Sequence, residues 1–334
     1  MFFDTWSLAL NICSAVVLFL VLFASRTAYR VLRYWDPDRD DNRQIRLENE
    51  IWLTSTLVQY TLVFQIFSLI LFVLAADQFC NIIIGAMCAT GSLLANSFGM
   101  PALLVKIGAV FLYGFWIVLH KLDIRSPQYP LVKLKYWYFL LLLPVLAVDV
   151  SLQTLYIANL SPDIITSCCG VVFDSASLTT NLLPSFDQST LLFIFYAAAF
   201  CFAANALWSR LGGQRVAYSV LLALAFLFLP IATISLISVF SSFIYAMPYH
   251  HCPFCILKSE YHYVGFFLFG FLFAAVFFGM VPGVVDRFKR YEDLREPIRA
   301  LQKKATSLSL FLLLSYTFLI SYYPLAYRFF GGER

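Results

Sequence analysis

Hydrophobic and polar positions along this chain fall into long blocks rather than a residue-by-residue alternation. Eight apolar runs, near residues 6–27, 52–76, 101–120, 137–159, 189–208, 216–246, 262–285 and 306–327, are separated by polar segments. About 20 apolar residues cross the hydrocarbon core as a helix. Helices are required there because unpaired backbone N–H and C=O groups have no water to bond. The pattern therefore predicts an all-α fold, a polytopic transmembrane bundle of eight spans. No Gly/Ser linker or low-complexity stretch interrupts it, so residues 1–334 read as a single membrane domain. The sixth run is too long for a straight crossing, and Pro230 near its middle is the expected kink, with Ser235 to Ser242 re-satisfying freed carbonyls. Two mixed-charge stretches, Asp36 to Glu50 and Asp286 to Lys304, read as short amphipathic helices at the lipid interface.

Composition excludes a soluble domain. Charged residues make up 13% of the chain, against about 25% in soluble domains. Basic residues then orient the spans. The segments Arg26–Arg46, Lys121–Lys135, Arg210–Arg215 and Arg287–Lys304 hold 6, 4, 2 and 7 of them, 19 of the 23 in the chain, whereas the alternate loops hold only Lys258. By the positive-inside rule both termini are extracytoplasmic, in a multi-pass protein of the plasma (inner) membrane. The first run has no basic residue before it and Arg26, Arg30 and Arg33 after it, which fits an anchor that is retained. The charge of +4 reflects this bias, so the partner implied is the lipid bilayer and not a nucleic acid.

The chemistry is carried by cysteine. Six of the eight cysteines fall in pairs in three loops on the outer side, Cys80 with Cys88, Cys168 with Cys169, and Cys252 with Cys255. That placement points to thiol or soft-metal chemistry in an oxidising compartment. In His250, His251, Cys252, Pro253, Phe254, Cys255 the two thiols are spaced to close a small disulfide ring where the chain enters the seventh span. A helix N-terminus there, with His250, His251 and Lys258, favours a thiolate, making Cys252 the exposed nucleophile and Cys255 its resolving partner. The same residues, His250, His251, Cys252 and Cys255, are alternatively a Zn or Cu site, and a haem between these histidines and His262 is a further binding reading. A structural or transport subunit with disulfide-stapled loops is the third. Adjacent Cys168 and Cys169 would form a strained bond with each other, and separate pairing with Cys80 and Cys88 builds a rigid cap instead. Cys13 and Cys201, inside spans, read as buried packing residues.

The run CPFCILKSEYHYVGF resembles the segment of vitamin K epoxide reductase-like and DsbB-like membrane thiol oxidoreductases in which a CxxC pair opens a transmembrane helix at the outer face. The resemblance implies that Cys252 and Cys255 exchange electrons with a membrane quinone. It also implies that Cys80 with Cys88, or Cys168 with Cys169, relays electrons from an extracytoplasmic thiol protein. The expected activity is a thiol/disulfide oxidoreductase.

Asp149 is the one clear acid inside a span. A carboxylate there usually pairs or titrates. Lys106 is within reach as a salt-bridge partner, and Gln153, Tyr156 and Asn159 continue a polar stripe toward Cys168, so Asp149 and Lys106 form a candidate proton relay.

Overall fold

In the computed structural model, which describes residues 4–35, 42–126, 129–161, 163, 187–247 and 250–330, the chain is helical and no strand occurs among the described residues. Eight helices are long and apolar enough to cross a membrane, so this is a multi-pass membrane protein by its architecture. The described residues gather into two compact units, Met1–Thr166 and Ser167–Arg334.

The N-terminal unit contains α1 (Thr5–Tyr34), α2 (Asn42–Phe79), a short α3 (Ala89–Leu94), α4 (Gly99–Asp123) and α5 (Val132–Ala158). Helix α1 shows how the sequence specifies the packing. Its buried positions are Ser7, Leu10, Ser14, Val17, Val21, Ala24, Ala28 and Val31, with Thr27 beside them, alternating steps of three and four. That 3.5-residue period keeps one seam facing its neighbours, and the small residues in it let backbones approach closely. The opposite face, with Phe19, Leu22 and Phe23, is exposed apolar surface suited to lipid. Helix α1 packs on α2 and α5, and α4 also packs on α2 and α5, closing a ring of four spans.

The C-terminal unit contains α6 (Gln188–Gly212), α7 (Arg215–Ser235), α8 (Ser241–Tyr245), α9 (Val264–Asp286) and α10 (Arg295–Phe330). Its spans close the same ring. Helix α6 packs on α7 and α10, and α9 packs on α7 and α10. The approach is close where α9 meets α7: a Cβ at Gly283 would lie 2.7 Å from the Tyr218 carbonyl oxygen.

The two units thus repeat one plan. In each, an acid ends the third span, Asp123 in one and Asp286 in the other, and binds the start of the fourth span. Lys135 Nζ reaches Asp123 Oδ2 at 2.7 Å, and the Leu131 N–H donates to Asp123 Oδ1 at 2.9 Å. Asp286 Oδ1 accepts from Gln302 Nε2 at 3.0 Å and pairs with Lys289 at 2.5 Å. In each, the segment linking the second and third spans carries a cysteine pair.

Three expectations change. From Asn42 the first mixed-charge stretch is continuous with α2, and from Arg295 the second is continuous with α10, so neither is a separate surface helix. The sixth span stays helical through Pro230, and a second departure from α-helical bonding, which the sequence did not lead one to expect, is a π-turn at Leu236–Phe240. Cys201 is exposed on α6 rather than buried.

Lys135 and Asp123 are 1% and 0% exposed, so removing one charge strands the other. Asp123→Leu should cost about 3–5 kcal/mol of stability, read as a lowered unfolding temperature in detergent. Asp123→Leu/Lys135→Met should recover most of that loss. A single variant as stable as the parent would contradict the pairing.

Candidate functional site: the Cys252–Cys255 loop

The loop is anchored by a break in helical bonding. At the π-turn the Ser241 N–H reaches back to the Leu236 carbonyl. The Ile237 carbonyl instead accepts from Ser241 Oγ at 2.6 Å and meets His251 Nδ1 at 3.1 Å. A carbonyl only accepts, so Nδ1 of His251 carries the proton in this bond. Ser241 Oγ and Ser242 Oγ also lie 3.2 and 3.3 Å from Nδ1. His251 is 7% exposed, and its ring is therefore held on the end of the sixth span. Such π-turns recur at functional sites.

The next residue, Cys252, is 1% exposed, and Tyr245 Oη donates to its carbonyl. The Tyr245 ring stands edge-on to His250 at 4.4 Å and to Tyr261 at 4.7 Å between centroids, forming an aromatic wall beside the thiols. Cys255 begins a single 3₁₀ turn, Cys255–Leu257. That turn lies directly on Gly265 of α9, where a Cβ would come within 2.8 Å of Ile256 and Leu257 side-chain atoms and 2.9 Å of the Ile256 carbonyl oxygen. Left-handed backbone brackets the loop, at Ala246 (φ 52°) on entry and at His262 and Tyr263 (φ 51° and 55°) on exit. Non-glycine residues in this region store strain and gather at functional sites.

Within this frame the Sγ atoms of Cys252 and Cys255 lie within 4.8 Å of each other. No disulfide joins any two described cysteines. Two sequence expectations are overturned here. The pair does not open the span: α9 begins at Val264, well beyond Cys255, so no long helix directs its N-terminal amides at either sulfur. And Cys252, expected to be the exposed thiol, is the buried one, while Cys255 is half-buried. The alternative ligand set is also not assembled as expected. Within this unit, and among the described residues, neither His250 nor His251 joins the two thiols in a three-ligand group.

The remaining candidates lie in the N-terminal unit or outside the described residues. Cys80 follows the end of α2, and buried Cys88 is the residue before α3, its carbonyl accepting the Gly91 N–H at 3.0 Å. Cys168 and Cys169 lie outside the described residues. Lys106 and Asp149 do meet, at 2.9 Å. Asn159 leaves the polar stripe, spending its amide on the Leu155 carbonyl at 2.8 Å on an exposed surface. Sequence reasoning missed the π-turn, which has no compositional mark beyond the serines of 235–242, and the Tyr245 contact.

Tyr261 reports on this site from its edge. Burial, then the neighbouring Cys255 and Glu260, raise its phenol above the ordinary value, which is about 10. Its share of stability is therefore full below about pH 10 and is lost as pH rises through the higher folded-state value. The tyrosinate absorbance missing from Tyr261→Phe should appear above the usual range, and Cys255→Ser should move that step partly back. An unchanged step in Cys255→Ser would remove the thiol from the phenol's surroundings.

No protein-family model, curated protein or solved structure matches this chain.

Proposed function

We propose that this protein is a membrane thiol–disulfide redox protein whose exchanging pair is Cys252 and Cys255. The observation that carries the reading is two thiols within 4.8 Å, one buried and one half-buried, in a loop fixed at both ends. A pair so placed closes to a disulfide by side-chain rotation, and exposure selects Cys255 as the attacking thiol with Cys252 resolving. The thiolate of Cys255 attacks a sulfur of a partner disulfide and expels the other partner sulfur as a thiolate. Cys252 then attacks Cys255 Sγ, releasing the partner as a dithiol and leaving the Cys252–Cys255 disulfide.

Electrons leave or enter the membrane side in pairs. The disulfide left by that exchange returns to the dithiol when disulfide plus hydroquinone gives dithiol plus quinone, and with a partner dithiol the cycle runs in reverse, dithiol plus quinone giving disulfide plus hydroquinone, so a lipid-soluble quinone/hydroquinone couple is the chemical class required. The basic bias of the four alternate segments supports an extracytoplasmic position for the loop in the plasma membrane, with a thiol protein of that compartment as the partner. A second reading, a soft-metal site, is favoured by the same sulfur–sulfur distance. Two thiolates alone suit Cu(I) better than the four-ligand set of structural zinc.

Redox titration of the purified protein, with alkylation and peptide mapping, separates the two. The Cys252–Cys255 pair should change state well above about −300 mV, the limit below which structural disulfides lie. A pair that stays as dithiol throughout, or that carries stoichiometric copper or zinc which protects it from alkylation, contradicts the redox reading.

A further inference from the structure

At the end of the C-terminal unit away from the cysteine loop, the chain passes from α9 to α10 through two 3₁₀ turns, Arg287–Arg290 and Glu292–Leu294. Residues 287–304 hold seven basic residues against three acids, Glu292, Asp293 and Glu296. Two of the seven are neutralised inside the unit, Lys289 by Asp286 at 2.5 Å and Arg295 by Glu292 at 3.4 Å. Arg287, Arg299, Lys303 and Lys304 are exposed and belong to no ion pair among the described residues. The positive-inside bias asks for basic residues near this end of each span, not for a surplus gathered at one corner. In residues 26–50 six basic residues meet six acids, and in residues 121–135 one of the four, Lys135, is spent on buried Asp123.

The fold fixes where this surplus lies. Leu294, Ile298, Gln302 and Ala305 are buried, at steps of four, four and three that turn one face of the chain inward. Gln302 Nε2 donates to the Pro282 carbonyl and to Asp286 Oδ1, each at 3.0 Å, which ties that face to α9. The exposed face of α10 changes character along its length. Lys304 is followed, at steps of four, three and seven, by Leu308, Phe311 and Phe318, which are 39%, 65% and 79% exposed. A cationic end thus runs straight into an apolar stripe. The apolar run opens near residue 306, and at 1.5 Å per residue Lys304, Lys303 and Arg299 stand about 3 to 10 Å beyond it. The headgroup layer is about 5 to 8 Å deep on each side of the hydrocarbon, and the long stems of lysine and arginine span the remainder. A surface of this kind matches a molecule with an anionic head and apolar tails.

We propose that the Arg287–Lys304 corner binds the phosphate of anionic phospholipids, whose acyl chains lie along Leu308, Phe311 and Phe318. Arg287 and Arg299 offer planar guanidinium forks to phosphate oxygens, and Lys303 and Lys304 add point charges. Depth favours a lipid over a soluble polyanion, because the free charges stand at headgroup level and adjoin exposed apolar side chains. The inference concerns residues remote in sequence from Cys252 and Cys255 and does not rest on the thiol reading.

Phosphatidylglycerol and phosphatidylcholine with the same acyl chains, added to the purified full chain in detergent, test it through the unfolding temperature and through bound lipid counted by native mass spectrometry. Phosphatidylglycerol should raise the unfolding temperature more than phosphatidylcholine does, and added salt should shrink the difference. Arg287→Gln/Arg299→Gln/Lys303→Gln/Lys304→Gln should weaken phosphatidylglycerol binding by more than about tenfold and leave phosphatidylcholine binding unchanged. Should that variant not fold, Arg287→Gln/Arg299→Gln and Lys303→Gln/Lys304→Gln should each lose part of the preference. Lys121→Gln/Lys133→Gln, in the N-terminal unit, should keep it whole. Equal stabilisation by the two lipids, the same stabilisation by inorganic phosphate alone, a preference that survives in the charge-depleted variants, or one lost equally in Lys121→Gln/Lys133→Gln overturns the site.

Discussion

Everything in this structure depends on one constraint, that backbone carbonyls and amides within lipid must find partners inside the protein. It forces the eight spans to be helices. It also makes any local departure from helical bonding conspicuous, because a freed carbonyl has to be taken up by a side chain. At Leu236–Phe240 the departure is a π-turn, and the carbonyl of Ile237 is taken up by Ser241 and by His251 from beyond the end of the span. The bond that satisfies the backbone is therefore the bond that fixes the loop of Cys252 and Cys255. Gly265 secures the loop's other side by letting the Cys255 turn rest on α9 without a Cβ between them.

The repetition of one four-span plan gives the constraint a second expression. Both units close a ring in which the first span meets the fourth, and both tie the third span to the fourth through a terminal aspartate. They differ in what they bury. The N-terminal unit holds an ion pair and a polar column in its interior. The corresponding interior of the C-terminal unit is aromatic, with Phe195, Phe202, Phe228 and Tyr316 in tilted and edge-on contacts.

Much of the fold was legible because hydropathy records what lipid demands: all eight spans lie where the apolar runs put them. The meeting of Lys106 with Asp149 was legible for a related reason, since a charge in a span must find a partner. Local backbone chemistry was less so. Cys252 and Cys255 looked like the opening of a helix because Pro253 and the following apolar run fit one, yet the chain spends Cys255–Tyr261 in two 3₁₀ turns before α9 starts. Tyr245 and the π-turn hold the Cys252 loop through contacts with the Cys252 carbonyl and His251, between positions that no periodic pattern links. The helix continues through Pro230, and a further bonding shift falls at Leu236–Phe240, where the sequence has no proline or glycine to announce it.

The central claim is that Cys255 is the attacking thiol and buried Cys252 its resolving partner. Its most direct test is disulfide trapping in native membranes, with acid quenching and non-reducing electrophoresis of single-cysteine variants. Cys252→Ser should accumulate a mixed disulfide through Cys255, because the attacking thiol remains and the resolving one is gone, while Cys255→Ser should accumulate none. An adduct on Cys255→Ser alone, or on neither variant, would contradict the account.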